Sequence, residues 1–396
     1  MIGSIYIAMT GLHGYEQGLR VISNDTANLN TPGFKGSTLQ FADLFYAGGN
    51  QGGGGGSDAA GQYGYGVAAL GTRLVFRQGQ LRNSGNDLDA AIDGQGFFVL
   101  KDTAGHVHYT RDGEFTVNGD GFLVSATTGE QVMALGGDGA LTPIGIAALR
   151  TNPAQATAAV TFGGNLSSTA TTDTISNVTV IDPSGASHTL SLKLEPVAGS
   201  AGTWTATLLD GSTTVGWGQF AFINGRPDPQ RSKVSIDYTP TGQPAQTVAL
   251  DFSTNVTSYD SGSRSTLAIT SQDGHGSGEL SQTSFDETGT LVLQYSNGQT
   301  VKGPKLALAR FNSTDDVNSV GRNEFQATAG AVWSTGVAGE RGFGNVRSGM
   351  VETSNVDLSE EFSDLVIMQR GYQASSQVIS TANEMLGELF SMRGSR

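Results

Sequence analysis

Both ends of this 396-residue chain carry a heptad pattern, and the long polar stretch between them carries none. Residues that recur at alternating spacings of three and four lie along one face of a helix, where they can pack against a second helix. The N-terminal positions are Ile5, Ala8, Leu12, Tyr15, Leu19, Ile22, Thr26 and Leu29. The C-terminal positions are Leu365, Met368, Tyr372, Ser375, Ile379, Ala382, Leu386 and Leu389. We therefore expect two terminal helices, far apart in sequence, that meet as a coiled coil.

Each terminal helix has a recognisable boundary. The first helix is expected to stop at Thr31-Pro32-Gly33, because proline cannot continue a helix. At the other end, Asp357 is expected to cap the second helix, with Glu360 at the position that completes a capping box.

The stretch between the helices has the pattern of β-strands. Short apolar runs at 96–100, 114–117 and 121–124 are separated by Asp-Gly and Asn-Gly pairs, which favour hairpin turns. We expect Trp204 and Trp217 to anchor the core of a later β region. The sequence thus predicts an α+β multidomain protein, in which N- and C-terminal α-helices form a coiled-coil core domain and two mainly β outer domains are inserted between them.

The same patterns divide the chain into four regions. They are a terminal coiled-coil domain (1–30 with 357–396), an extended Gly-rich linker region (31–72), an inner β domain (73–147 with 286–356) and an outer β domain (148–285).

Composition excludes several classes of protein. The chain has 22 Lys and Arg against 36 Asp and Glu, a net charge of -14, which repels nucleic acid and anionic membranes. It has no cysteine, so disulfides and thiolate metal sites are excluded. No apolar run approaches the length of a membrane span, and no cleavable signal peptide is visible at the start. We expect neither nucleic-acid binding nor membrane insertion.

No motif in the sequence indicates catalytic chemistry. His106 and His108 share one face of a possible strand, but no further ligand lies nearby in sequence, so we interpret them as an ordinary exposed pair. Asp87, Asp89 and Asp93 resemble the start of a calcium loop, yet apolar residues interrupt the series of ligands. We predict no catalytic, cofactor-binding or metal-binding residue, and no enzyme.

Motifs near both ends and in the first β region resemble those of the bacterial flagellar rod and hook proteins. The motifs are residues 22–35 (ISNDTANLNTPGFK), 91–98 (AIDGQGFF), 109–115 (YTRDGEF), 354–359 (SNVDLS) and 369–374 (QRGYQA). The residues that carry the resemblance are Gly33, Phe34, Lys35, Asp93, Gly94, Gly96, Phe97, Phe98, Arg111, Asn355, Asp357, Gln369 and Arg370. Two departures from the family pattern are Asp25, where many relatives have Asn, and the run Gly52–Gly56.

The resemblance implies a structural subunit that stacks helically into a tube. The long insertion between about 148 and 285 favours the hook branch of the family, a curved universal joint that passes motor torque from the rod to the filament. The residues expected to carry assembly are Ile5, Leu12, Leu19, Ile22, Asn28, Leu365, Met368, Tyr372, Ile379, Leu386 and Leu389. The implied partners are other copies of the chain, the distal rod protein, the hook cap protein, the hook–filament junction protein and the type III export apparatus. The implied location is extracellular, in the flagellum.

Two alternatives stay open at this level. A distal rod protein would have the same ends but would form a rigid, straight drive shaft. A secreted adhesin-like β protein would share only the polar β composition.

Overall fold

A computed structural model describes residues 2–44, 46–48 and 62–394. The chain forms two compact units. The first comprises residues 1–147, 283–293 and 302–396, and the second comprises residues 148–282 and 294–301. The finer division into four regions stays a prediction. Most of the Gly-rich tract, including Gly52–Gly56, lies outside the described residues.

Two α-helices lie at the ends of the described chain, α1 (Ile2–Ala27) and α2 (Leu358–Gly394). After α1 the chain turns, with Asn28 N donating to Asn24 O and Thr31 N to Asn28 O, just before the proline that blocks continuation. Asp357 caps α2 as predicted, because its Oδ1 accepts from Ser359 N at 2.8 Å. Neither helix has an apolar stretch that would span a bilayer within the described part of the chain.

All other regular structure within the described residues is β, apart from the short 3-10 turns Ala147–Leu149 and Thr314–Asp316. The strands before residue 147 are β1 (Ser37–Asp43), β2 (Tyr46–Gly48), β3 (Gln62–Gly64), β4 (Val67–Leu74), β5 (Leu81–Asn83), β6 (Ala90–Asp93), β7 (Phe97–Lys101), β8 (Val107–Thr110), β9 (Phe115–Val117), β10 (Leu123–Ser125), β11 (Gln131–Leu135) and β12 (Leu141–Pro143). The next are β13 (Thr151–Asn152), β14 (Ala159–Asn165), β15 (Asp173–Ile181), β16 (Ser187–Pro196), β17 (Thr203–Asp210), β18 (Thr213–Ile223), β19 (Arg226–Pro227), β20 (Lys233–Tyr238), β21 (Gln246–Asp251), β22 (Val256–Thr257) and β23 (Ala268–Gln272). The last are β24 (Gly278–Phe285), β25 (Thr290–Tyr295), β26 (Thr300–Lys305), β27 (Leu308–Phe311), β28 (Val317–Gly321), β29 (Glu324–Ala327), β30 (Trp333–Gly336), β31 (Asn345–Ser348) and β32 (Met350–Glu352).

The first unit is organised around one large sheet. Its main path runs β28-β29-β8-β7-β11-β10-β9. In addition, β12 pairs with β11, β27 pairs with β7, and β30 pairs with β27. Small two-stranded ladders join early and late parts of the chain, since β5 pairs with β32 and β6 pairs with β31. One face of the large sheet carries a buried apolar cluster of Phe97, Val99, Tyr109, Met133, Ala307, Ala309, Val317 and Phe325. The late strands therefore complete a sheet that the early strands begin.

The second unit contains two five-stranded sheets and a larger core. One sheet runs β15-β16-β17-β18-β19, and the other is built around β14, β20, β21, β22 and β23. Leu190, Leu192 and Leu194 are fully buried, as their alternation predicted, and Trp204 is buried beside them.

The prediction that Trp217 is a core anchor was wrong, because its side chain is 64% exposed. The register explains the difference. Trp204 pairs with the buried Phe220, whereas Trp217 pairs with Thr207, which lies on the other face of β17. Successive side chains of a strand point to opposite faces, so Trp217 faces outward.

The predicted fold class was also wrong. Strands account for 44% of the described structure and helices for only 18%, so the described part of the protein is predominantly β and lacks a coiled-coil core with two inserted β domains. The heptad pattern correctly indicates helices, but it says nothing about how much of the core they build. Most of α2 is solvent-exposed, whereas the large buried side chains belong mainly to strands and the loops between them.

The two helices contact each other through small residues. A Cβ added at Gly11 would lie 2.9 Å from Ser375 Oγ, and one added at Gly371 would lie 2.5 Å from the Tyr15 ring. Along α1 the buried positions are Ala8, Gly11, Gly14, Gly18, Ile22 and Asp25. The helix backbones thus approach closely at glycines, against which side chains of the facing helix pack, among them Tyr15 and Met368.

We expect Gly371→Ala and Gly387→Ala, both on α2, to differ in effect. Alanine is favoured over glycine in a helix by about 1 kcal/mol, and a Cβ at Gly387 meets nothing within 4 Å. Gly387→Ala should therefore stabilise the helix by about that amount, whereas Gly371→Ala should lose the gain by displacing Tyr15. Denaturant unfolding followed by far-UV circular dichroism measures both. Equal gains at the two positions would show that the close approach has no energetic weight.

Candidate functional site: the buried junction and the exposed helix faces

Two of the separate sequence motifs, 22–35 and 109–115, meet at one buried carboxylate, that of Glu352. Lys35 Nζ donates to Glu352 Oε1 at 2.6 Å, and Arg111 Nη1 donates to Oε2 at 3.1 Å. The backbone N of Gly79 donates to the same Oε1 at 2.7 Å. The Lys35 and Glu352 side chains are fully buried and that of Arg111 is 5% exposed. We call these three side chains the buried junction.

The backbone brings the members of the junction together. Glu352 ends β32, and its carbonyl accepts from Gly33 N at 2.7 Å, just after α1. Gly33 has a φ of +69°, and a Cβ there would lie 2.4 Å from Asp112 N, so only glycine fits this position. The guanidinium of Arg111 also donates to Ile92 O and Gly94 O, which ties in the 91–98 motif.

The electrostatics of the junction depend on the single carboxylate. Burial lowers the pKa of Lys35 and the pKa of Arg111, and in both cases the Glu352 carboxylate opposes the shift. Arg111 also lies over the Phe97 ring, with Cζ 5.4 Å from the centroid, while its Nε has no hydrogen-bond partner. The site thus holds two cations around one anion, all three buried, an arrangement suited to fixing chain segments in place.

A second contact set ties the start of β1 to the end of α1 and to the segment that leads into α2. Asn355 Oδ1 accepts from Gly36 N at 2.9 Å, and its Nδ2 donates to Val75 O and Arg77 O. Asp25, at the end of α1, accepts from Ser37 N at 2.8 Å and is almost fully buried. Burial raises the pKa of Asp25, and the bond from Ser37 opposes the shift. The departure from the family pattern at position 25 therefore has a structural role.

Beside Asp25 lies an acidic cavity of about 170 Å³, between α1, β1 and the first turns of α2. Its lining includes the carboxylates of Glu360, Glu361 and Asp364 and the basic Arg77. Burial raises the pKa of Glu361 to about 7, and the charges of Asp25, Asp364 and Glu360 add to the shift. The start of α2 thus carries unbalanced negative charge at neutral pH.

The structure places the predicted assembly residues with varying exposure. Ile22 is buried, and those half-buried are Ile5, Leu12, Leu19, Asn28, Leu365, Met368, Ile379 and Leu386. Tyr372 and Leu389 are 42% and 47% exposed. Away from the contact between the helices, a further set of large apolar side chains is exposed. This set, which we call the exposed helix faces, is Ile2, Tyr6, Ile7, Met9, Phe362, Val366, Ile367, Val378, Met385, Phe390 and Met392.

The remaining motif residues fall into structural and surface positions. Gly94 and Gly96 have φ values of +119° and +133°, and they lead into the buried Phe97 and Phe98. Phe34 is half-buried, and Asp93 is exposed and forms an ion pair with Arg347 at 3.3 Å. Asp357, Gln369 and Arg370 are exposed on or beside α2.

Sequence reasoning missed Glu352, although it identified Lys35 and Arg111. A lone glutamate at the end of a short strand gives no periodic signal. Only the pairing of β32 with β5 shows that this side chain points at two cations from distant motifs.

Comparison with known proteins identifies the family. A family model described as the flagellar hook protein FlgE/F/G D1 domain matches residues 91–170, and one described as the flagellar basal body rod FlgEFG protein C-terminal matches residues 347–392. The flagellar hook protein FlgE of Borreliella burgdorferi is 30% identical over 455 residues, which cover 99% of this chain and 100% of the relative. The chain belongs to the flagellar hook protein family. FlgE of Escherichia coli is also 30% identical, over 98% of this chain and 99% of that relative.

A solved structure resembles the fold of this hook-family chain. It is the crystal structure of the Helicobacter pylori flagellar hook protein FlgE2, with a TM-score of 0.54, 14% identity and coverage of 69% of this chain and 100% of that one. At that identity the likeness shows the fold alone. That fold is the β-rich one of a hook protein, which replaces the coiled-coil architecture that the sequence predicted.

We expect Glu352→Gln to destabilise the protein by about 3–5 kcal/mol, because it leaves two buried cations without a counter-charge. Chemical denaturation measures the loss. Glu287→Gln is the matched control, since Glu287 pairs with Arg347 at 2.9 Å but is 73% exposed; such surface pairs contribute at most about 1 kcal/mol. Similar losses for the two variants would contradict the role of the buried junction.

The acidic cavity should make the stability of the protein depend on pH. The folded pKa of Glu361 is raised above its ordinary value to about 7, so the folded state binds more protons than the unfolded state between about 4.5 and 7. Stability is therefore lost as the pH rises through that window. Glu361→Gln should raise the free energy of unfolding at pH 8 by no more than about 1 kcal/mol after solvent screening, which a higher Tm reports, and the difference should vanish near pH 4.5. Glu388→Gln, on the exposed far end of α2, serves as the control; a gain at pH 8 that persists at pH 4.5 would refute the proposed origin.

Proposed function

We propose that this structural subunit of the flagellar hook polymerises through its terminal helices into a curved tube, which passes motor torque from the rod to the filament. The observation that carries the proposal is the exposed helix faces. Ile2 is 80% exposed, Phe390 70% and Ile367 60% in the single chain. Burying a large apolar side chain contributes roughly 1.5–3 kcal/mol, so covering these faces is a strong driving force for association.

The second copy of the chain is the partner that these faces favour. The surfaces belong to two helices that already contact each other at glycines, so a further contact must come from another molecule. A contact between unlike surfaces of identical subunits does not close as a dimer and instead propagates as a helix or a ring. The hook polymer that the family implies is such an assembly.

The β sheets suit a different task. The second unit carries a polar surface with scattered exposed apolar residues, among them Trp217 and Tyr259. Weak, hydrated contacts between such surfaces can be exchanged at low cost while apolar contacts hold the helices. We propose that the terminal helices maintain the tube and that the β regions slide against neighbours as the hook bends and rotates.

The family implies the remaining partners and the location. We propose contacts with the distal rod protein at one end of the polymer, and with the hook cap protein and then the hook–filament junction protein at the other. We propose export through the flagellar type III apparatus without a cleavable signal peptide, to an extracellular position in the hook.

The variant Ile367→Asp tests assembly by the helices. Ile367 is exposed in the single chain, so the charge should leave the fold intact but should prevent polymerisation by placing a carboxylate in an apolar contact. Electron microscopy of concentrated protein measures tube formation, and circular dichroism confirms folding. A chain without residues 1–30 and 357–396 should likewise form no tubes.

The matched control is Trp217→Asp, which replaces an equally exposed apolar residue of the second unit. We expect tubes to form and their curvature or stiffness to change. Normal tubes from Ile367→Asp, or their loss only in Trp217→Asp, would show that the helices do not drive assembly.

A further inference from the structure

The register of the large sheet gathers three metal-ligating residues on one face. His108 on β8 pairs with Leu100 on β7, which in turn pairs with Val132 on β11. Glu130 lies two residues before Val132, and side chains two residues apart point to the same face. On the other side of β8, Glu324 of β29 pairs with Thr110, two residues after His108. His108, Glu130 and Glu324 therefore share one face, opposite to the buried Tyr109 and Phe325.

The three side chains converge in space. His108 Nδ1 lies 2.9 Å from both carboxylate oxygens of Glu130 and 3.8 Å from Glu324 Oε2. One ligand atom from each residue can be chosen so that all lie within 4.8 Å of one another. The exposed fractions of the side chains are 15% for His108, 14% for Glu130 and 8% for Glu324.

Glu324 carries an independent sign that a partner is missing. The whole residue is only 6% exposed. Thr128 hydrogen-bonds its carboxyl group, yet the buried Oε1 has no hydrogen-bond partner. A buried oxygen without a partner loses its hydration with nothing to replace it, which costs about 1–3 kcal/mol and more for a charged group. A cation bound at this carboxylate would remove that cost.

We propose that His108, Glu130 and Glu324 form a binding site for a divalent transition-metal ion of the zinc class. One imidazole nitrogen and two carboxylates suit Zn²⁺, whereas Mg²⁺ and Ca²⁺ prefer oxygen ligands alone. The ion's two positive charges balance the two carboxylates, and water takes the fourth position. Zinc ligands lie about 2.0–2.2 Å from the metal, which separates them by roughly 3.4 Å. Binding would therefore widen the His108–Glu130 distance from 2.9 Å and shorten the His108–Glu324 distance from 3.8 Å.

The site would act as a clasp on the large sheet. It joins β8 and the start of β11, which belong to the early part of the chain, to β29, which comes near the end of the β region. His106, which lies just before β8, is 65% exposed and bonds to Asp102 instead. The other two ligands of the site, Glu130 and Glu324, lie 22 and 216 positions from His108, which is too far for a local sequence motif to indicate.

Zinc binding to the full-length, metal-stripped protein tests the proposal, measured by competition with a chromophoric chelator. We expect one ion per chain, with binding weakened at least about tenfold by His108→Ala and by Glu324→Gln. His106→Ala is the matched control and should bind as the native protein does. Zinc should also raise the Tm of the native protein and of His106→Ala, because a ligand that binds only the folded state stabilises it.

The isosteric Glu324→Gln decides the result if His108→Ala does not fold, as judged by circular dichroism. The site is overturned if zinc does not bind at one ion per chain. It is also overturned if Glu324→Gln binds as tightly as the native protein, or if His106→Ala loses binding, which would place the ion on the surface.

Discussion

The structure of the first unit depends on one buried carboxylate that pairs with two cations. Lys35 follows the N-terminal helix, Arg111 lies in the first β region and Glu352 precedes the C-terminal helix, so the junction joins three parts of the chain that are remote in sequence. A buried ion pair is not in itself strong evidence for stability, since desolvation offsets much of the attraction. Its geometric consequence is clear, because both cations reach the one carboxylate only where these three segments meet.

The terminal helices are positioned from this junction. Asn355 and Asp25 hold the backbone at the start of β1, and the helices leave from there with their small residues in contact. Glycine contacts bring two helix backbones close together but bury little apolar area. The large side chains on the remaining faces therefore stay exposed in the single chain, and they are the surface that the proposed polymer would cover.

The acidic cavity lies between α1, β1 and the first turns of α2. Carboxylates from both helices lie around it, and burial together with mutual repulsion raises the pKa of Glu361. The repulsion between these carboxylates destabilises the single chain, and a basic group placed beside them would reduce it. The helix pair thus combines exposed apolar side chains with closely spaced negative charges in the isolated subunit.

Periodic patterns in the sequence determined the local features of this protein. The heptads indicated both helices, Asp357 marked the start of the second, and the alternation of Leu190, Leu192 and Leu194 indicated a strand with one buried face. The motifs that carry Lys35 and Arg111 identified the family. These features follow from interactions between residues a few positions apart, which a single sequence displays directly.

Only the tertiary structure decided which contacts those elements make. It showed that the fold is predominantly β, that the helices meet at glycines, and that Trp217 faces solvent because of its register with β17. It also placed Glu352 against two cations and Glu324 beside His108. Strand pairing and helix packing set these outcomes. Both join residues up to hundreds of positions apart that share no periodic signal, so their proximity exists only once the chain has folded.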